Sequence, residues 1–344
     1  MSKPPFRKTL FFVLLVGLIL AVSSHGPHGI MAQTPVATET ATASPVPQSQ
    51  PLKLLWQADV MPDDLVVEPN GIAVDDQGNA YLDSASGDPV KKFDRNGKMV
   101  ATFGSPGTNA GQFTFETGVA VDGEGNVYVA DFAQSPRIEK FDSKGNFLTQ
   151  WATEPPTGPA GIGIDSKGNV YVANHRKHDH YIQKFDSYGN LLAEWGTTGT
   201  DDGQFMARTQ GGIQGLAVDK QDNIYVTDPL NHRIQKFDSN GKFLAKFGTE
   251  GANGGWQTAN PFAVAVDAEG NIYVNDGSFL QKHDASGKFL AQWPLEYRGD
   301  LDSARWIAVD GQGDLFVIAH AEVTGLNGSK ANIDVLKKFR QPAT

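Results

Sequence analysis

The chain has 344 residues, no cysteine, 40% hydrophobic and 10% aromatic residues, and a formal net charge of −10; this fits a globular protein with room for one large all-β domain or two smaller ones, not a disordered chain. The lack of cysteine excludes disulfides, thiolate metal sites and a lipid-modified cysteine. The first 32 residues hold only three charges, Lys3, Arg7 and Lys8, so the remainder carries −13, an excess that repels phosphate and anionic lipid and argues against nucleic acid or a lipid surface as the main partner.

Residues 1–32 read as an export signal: a basic start, then an apolar run from Leu10 to Val22 that is shorter than the ~20 residues that span a bilayer comfortably. Small residues allow cleavage after Ser24 or Ala32, with an uncleaved anchor as the alternative. Residues 33–51, "QTPVATETATASPVPQSQP", form a Pro/Thr/Ala-rich stretch with little to bury, expected to be an extended stalk. The chain is therefore expected outside the cytoplasm, secreted or tethered to a membrane through its N-terminal segment.

From Gly71 onward one pattern is written six times: "GIAVDDQGNAYL", "GVAVDGEGNVYV", "GIGIDSKGNVYV", "GLAVDKQDNIYV", "AVAVDAEGNIYV" and "WIAVDGQGDLFV". Their aspartates, Asp75, Asp122, Asp165, Asp219, Asp267 and Asp310, lie 47, 43, 54, 48 and 43 residues apart. A period of this length with strand-like alternation predicts propeller blades. Each unit divides into four short strands, of the "IAVD", "NVYVAD", "IQKFD" and "FLAQW" kinds, and Asp-x-x-Gly turns join the first to the second and the third to the fourth. In these turns Asp bonds its own backbone and Gly accepts positive φ.

The stretches "NGIAVDDQGNAYL", "YVTDPLNHRIQKFDSNGKFLAKFG" and "GTTGTDDGQF" resemble NHL repeats, and the resemblance runs from Glu68 to Phe339. It implies an all-β, six-bladed β-propeller. It restricts activity little, because propellers of this kind include protein-binding and RNA-binding modules, extracellular sensor domains and a few lyases.

Fourth strands repeat two large residues four apart, such as Phe147/Trp151 and Phe289/Trp293, which on a strand share one face. Unit six lacks this strand, since only Arg340 to Thr344 follow "VLKKF". The isolated segment "LKLLWQADV", Leu52 to Val60, supplies Leu52 and Trp56 at the same spacing. It is predicted to complete the last blade as its outer strand, so that the propeller domain covers 52–344 and no sheet edge is left unpaired there.

On the face that carries the Asp-x-x-Gly turns the repeats are nearly identical. On the opposite face the loops differ: "SGDP", "FAQSP", "HRKHDHY", "PLNHR", "GSF" and the long "HAEVTGLNGSKANID". Binding residues are generally carried on variable loops over a rigid scaffold, so a site is expected there, around the mouth of the central channel.

Ligand-binding candidates are His175, Arg176, His178 and His180 of "NHRKHDHY", His320 at the matching position of unit six, and Arg305 with Trp306, which replace the small pair seen in Asn70-Gly71. The histidines suggest a transition-metal site, while two cations in the same loop disfavour one and a solvated polar loop has the same composition. Asp131, Asp228 and Asp276 end second strands and could form a carboxylate ring for a hard cation; the alternative is that Asp131 and Asp228 pair with Arg137 and Arg233 of their own loops. Lyases of the resembling family gather histidines around a metal at the mouth, whereas the residues entering the first strands here are Asn70, Thr117, Ala160, Gln214, Phe262 and Arg305.

The reading is a monomeric exported propeller acting as a non-catalytic binding module for a protein, peptide or cell-envelope component, without a required cofactor. The alternative is a metal-assisted lyase or lactone hydrolase that uses His175, His178, His180 or His320 as ligands to a divalent metal. A purely structural repeat protein is a third option.

Overall fold

The computed structural model describes residues 49–59, 69–132, 136–153, 158–174, 181–206, 213–248, 260–295, 304–324 and 330–341. The expected export signal, and the stalk before Ser49, lie outside the described residues. Residues 46–344 form one compact unit.

Six four-stranded antiparallel sheets follow the six repeats. Blade four is representative: Leu216–Val218, Ile224–Asp228, Arg233–Phe237 and Phe243–Phe247 run from the axis to the rim. The first strands of successive blades pack side by side around the axis, and the sixth meets the first. Their glycines are required there. A Cβ on Gly71 would lie 2.9 Å from the Cα of Gly118, and one on Gly118 would lie 2.8 Å from the carbonyl oxygen of Ala160, so neighbouring inner strands approach only because no side chain intervenes.

The core lies between blades. Second strands such as Val127–Asp131 and Ile224–Asp228 are buried along their whole length, and aromatic residues of the third and fourth strands fill the wedge-shaped gaps toward the rim. Trp195, for example, packs on Tyr171 of its own sheet and on Phe237 of the next blade.

The first hairpin of each blade is held by one repeated network. In blade four Asp219 Oδ1 accepts from the backbone N–H of Gln221 and Asn223, and Oδ2 accepts from the Asn223 amide and the Tyr225 hydroxyl. The Lys236 ammonium lies 4.8 Å from the Tyr225 ring centroid and 3.5 Å from the same carboxylate. Blade six departs in a concerted way. Phe316 replaces the tyrosine and Asp314 the asparagine, and Lys338 then bridges Asp310 at 2.9 Å and Asp314 at 3.3 Å, with Arg340 on Asp314 at 2.7 Å. A buried carboxylate that loses a hydroxyl partner is thus satisfied by a cation instead.

The segment Lys53–Asp59 is the outer strand of blade six, antiparallel to Lys330–Arg340, with Trp56 opposite Lys338 and Asp59 opposite Val335. It reaches both neighbouring blades. The Trp56 indole donates to the carbonyl of Arg95 in blade one at 2.9 Å, while Trp293 of blade five donates to the carbonyl of Gln50 at 3.0 Å, and the Gln292 N–H donates to Ser49 Oγ at 2.7 Å. Among the described residues, contacts with blade five thus reach back to Ser49, three residues before the expected start at Leu52.

One expectation is corrected. "HAEVTGLNGSKANID" is not a plain loop, because strands Leu315–Thr324 and Lys330–Arg340 pair from Leu315/Phe339 out to Thr324/Lys330. At ten and eleven residues they are about twice as long as their counterparts in other blades. Val323, Thr324 and Ile333 suit an extended ladder, which extends the blade-six hairpin past the innermost strand on the variable face.

Candidate ligand-binding face

First strands begin, second strands end and third strands begin on the variable face, which places Asn70, Thr117, Ala160, Gln214, Phe262 and Arg305 around the channel mouth. Two members of this ring are turned to structural use. The Asn70 amide donates to the carbonyl of Glu116 at 3.2 Å, and the Thr117 hydroxyl donates to that of Pro159 at 2.6 Å. The channel beneath is lined by the strand-one glycines and by Ile72, Val119, Ile162, Leu216, Val264 and Ile307, with Trp306. Its free volume is ≈ 50 Å³, room for a few waters at about 10–15 Å³ each.

Of the expected site residues, Arg305 is exposed on this rim. Trp306 is half-buried, lines the channel and packs against the cores on both sides of blade six, so it fills the space left by glycine elsewhere and faces the mouth as well. His320 lies in the long second strand of blade six with its backbone opposite Asp334. His175, Arg176, His178 and His180 lie outside the described residues.

The three aspartates do not converge as a cation-binding ring. Asp131 Oδ2 meets Arg137 at 3.1 Å, and its Oδ1 accepts from the N–H of Phe115 at 3.0 Å. Asp228 Oδ2 meets Arg233 at 2.8 Å and also accepts from the side-chain amides of Asn231 and Gln235. Asp276 accepts from the N–H groups of Ser278 and Phe279 and from Gln281. Desolvation pushes the carboxyls of Asp228 and Asp276 up, against the lowering effect of these donors. Among the described residues no group of three or more His, Asp or Glu side chains is placed to hold a metal.

Arg137 and Arg233 serve as staples. Arg233 donates to the carbonyls of Thr200, Asp201 and Gln204, and Arg137 donates to those of Thr108 and Gln112. Each pins the crossover loop from the preceding blade to the rim of its own.

Two features escaped the sequence reading. Phe115 and Phe262 stand 42% and 39% exposed beside the mouth, with Phe132 edge-on to Phe115 at 6.2 Å. Asp83 and Glu116 are buried at the seam between blades one and two; desolvation pushes their carboxyls up to about 7 and about 8. Aligning the repeats shows the second feature, since Glu116 stands where other units have Pro69, Pro159, Ile213, Pro261 and Ala304.

Comparison with known proteins agrees with this architecture. The NHL repeat model matches residues 211–237. A probable peptidyl-α-hydroxyglycine α-amidating lyase of Caenorhabditis elegans is 35% identical over 86 residues, 24% of this chain and 25% of that protein. The Drosophila melanogaster protein brain tumor is 33% identical over 129 residues, 36% of this chain and 12% of that one. The chain thus matches a quarter or less of the length of these relatives. Among solved structures, virginiamycin B lyase from Staphylococcus aureus superposes with a TM-score of 0.55 at 14% identity, covering 84% of this chain and 99% of that one. A gluconolactonase from Xanthomonas campestris gives 0.56 at 16% identity, covering 86% and 99%. Identities this low speak for the fold alone, and the conclusion is that this chain is a six-bladed β-propeller that carries an NHL repeat.

Proposed function

We propose that this propeller is an exported, non-catalytic binding module whose variable face docks a protein, peptide or cell-envelope component. The observation that carries the reading is the contrast at the mouth: a channel of ≈ 50 Å³ beneath a rim that exposes Phe115 and Phe262. Small-molecule sites are usually concave and enclose most of their ligand, whereas exposed aromatics on a rigid face are what protein interfaces use as anchors. Phe115 of blade two and Phe262 of blade five stand across the ring from each other, and Arg305 and Trp306 lie beside Phe262 in blade six. The opposite face carries the Asp/Asn/Tyr/Lys turn networks and a polar cavity of ≈ 250 Å³ between blades six and one.

A Phe115→Ala/Phe262→Ala variant is expected to keep its Tm within a few degrees, since both rings are substantially exposed, yet to co-sediment with isolated cell envelopes at least about 30-fold more weakly, the loss of a single anchor worth about 2 kcal/mol. Undiminished co-sedimentation would count against the reading.

The resemblance to two lyases and a gluconolactonase supports a second reading, metal-assisted chemistry at the same mouth. It is separated from the first by metal analysis and turnover of the purified domain. Stoichiometric metal that is lost in a His175→Ala/His320→Ala variant, together with lactone hydrolysis or lyase activity, would favour the enzyme.

A further inference from the structure

Asp83 and Glu116 break the repeat pattern at one seam. Asp83 stands where the other units place Ala130, Ala173, Thr227, Asn275 and Ile318, and Glu116 where they place proline, isoleucine or alanine. Asp83 is 2% and Glu116 0% exposed. Asp83 Oδ1 accepts from the Asn70 N–H at 2.8 Å, and the Asn70 amide reaches on to the carbonyl of Glu116. Glu116 Oε2 accepts from the N–H of Gly87 at 2.9 Å, in the loop that joins the second and third strands of blade one. Asp83 Oδ2 and Glu116 Oε1 have no hydrogen-bond partner among the described residues.

Among the described residues, the charged groups around the pair offer no spare buried cation. Asp88 is in the loop itself and Lys91 is half-buried on the third strand of blade one, while Asp131, Arg137 and Glu139 lie on the second and third strands of blade two. Arg137 is committed to Asp131 at 3.1 Å, to Glu139 at 2.6 Å and to the Thr108 and Gln112 carbonyls. A carboxylate buried without a counter-charge either neutralises or leaves the interior.

We propose that the seam between blades one and two is a proton-dependent latch: as neutral acids Asp83 and Glu116 hold the Ser84–Asp88 loop against the Phe113–Glu116 segment of blade two, and their ionisation releases it. The upward shifts of both carboxyls, caused first by desolvation and for Glu116 also by the neighbouring Asp83, set the window. Both groups titrate higher folded than unfolded, so their contribution is complete below the ordinary carboxylate range and is lost as pH rises through about 7 and about 8. The device opens one side of the variable face in neutral to alkaline surroundings and closes it in acid.

The test uses the exported domain and an Asp83→Asn/Glu116→Gln variant, asparagine being what blade five carries at the first position. Between pH 5.5 and 8.5 the wild-type Tm should fall by several degrees more than that of the variant. In the wild type alone, the Gly87 amide, corrected for intrinsic exchange, should lose protection at least tenfold over the same range, while Gly277 in the matching loop of blade five keeps its own. Equal pH slopes in the two proteins, or unchanged Gly87 protection, would overturn the latch. Recovery of protection at pH 8.5 on adding calcium chloride would also overturn it, in favour of a cation site at the same carboxyls.

Discussion

Replacing Arg233 by alanine is expected to destabilise the propeller by about 3–5 kcal/mol at pH 7, the range for removing one partner of a buried ion pair. Its side chain is 5% exposed and that of Asp228 0%, so the variant strands a carboxylate in the interior and frees the three carbonyls of the Thr200–Gln204 loop. Desolvation already raises the Asp228 carboxyl despite the arginine, and its removal raises it further. The group then titrates higher in the folded than in the unfolded protein, so the penalty grows as pH rises through the new value and shrinks in acid. Urea denaturation of Arg233→Ala at pH 7 and pH 5 checks this: the deficit should be clearly smaller at pH 5. An Asp228→Asn change in the same background should recover part of the loss at pH 7, because the two residues share one network.

Deleting Ser49–Asp59 is the second large effect. The segment forms a ladder from Lys53/Arg340 to Asp59/Val335, seats Trp56 edge-on to Phe316 at 5.9 Å, and ties blades five and one to blade six. Its loss exposes the third strand of blade six as an edge and removes the half-buried Trp56 from the core between blades six and one. For a domain of this size a fall in Tm of about 10 °C or more is expected, with a greater tendency to self-associate through the bared edge. Thermal unfolding and gel filtration of the full chain and the deletion check both. Trp56→Ala should reproduce a fraction of the thermal effect without the association, because it keeps the backbone pairing.

The fold was legible because a propeller writes the same sentence in every blade. The Asp-x-x-Gly-Asn turns, the alternating second strands and the missing strand after Phe339 follow from residue types and their spacing alone. The arginine pairs were legible for the same reason: Asp131 and Asp228 each precede an arginine in their own loop. What stayed hidden depends on position across blades rather than along the chain. Exposure of Phe115 and Phe262 cannot be read from strands whose neighbours also carry large apolar residues. Burial of Glu116 against Gly87 depends on two blades meeting, and its only trace in the sequence is the proline, isoleucine or alanine at the same place in other repeats. The extended hairpin of blade six was hidden because its Gly/Asn/Ser content resembles that of a loop.

Site-specific photo-crosslinking in the producing cells tests most directly whether the variable face is where a partner docks. A photoreactive amino acid at position 115 or 262 should give adducts of discrete mass, whereas the same group at Tyr188, 81% exposed at a hairpin tip on the opposite face, should give none. Adducts from position 188 equal to those from 115 and 262, or none from either rim position, would contradict it.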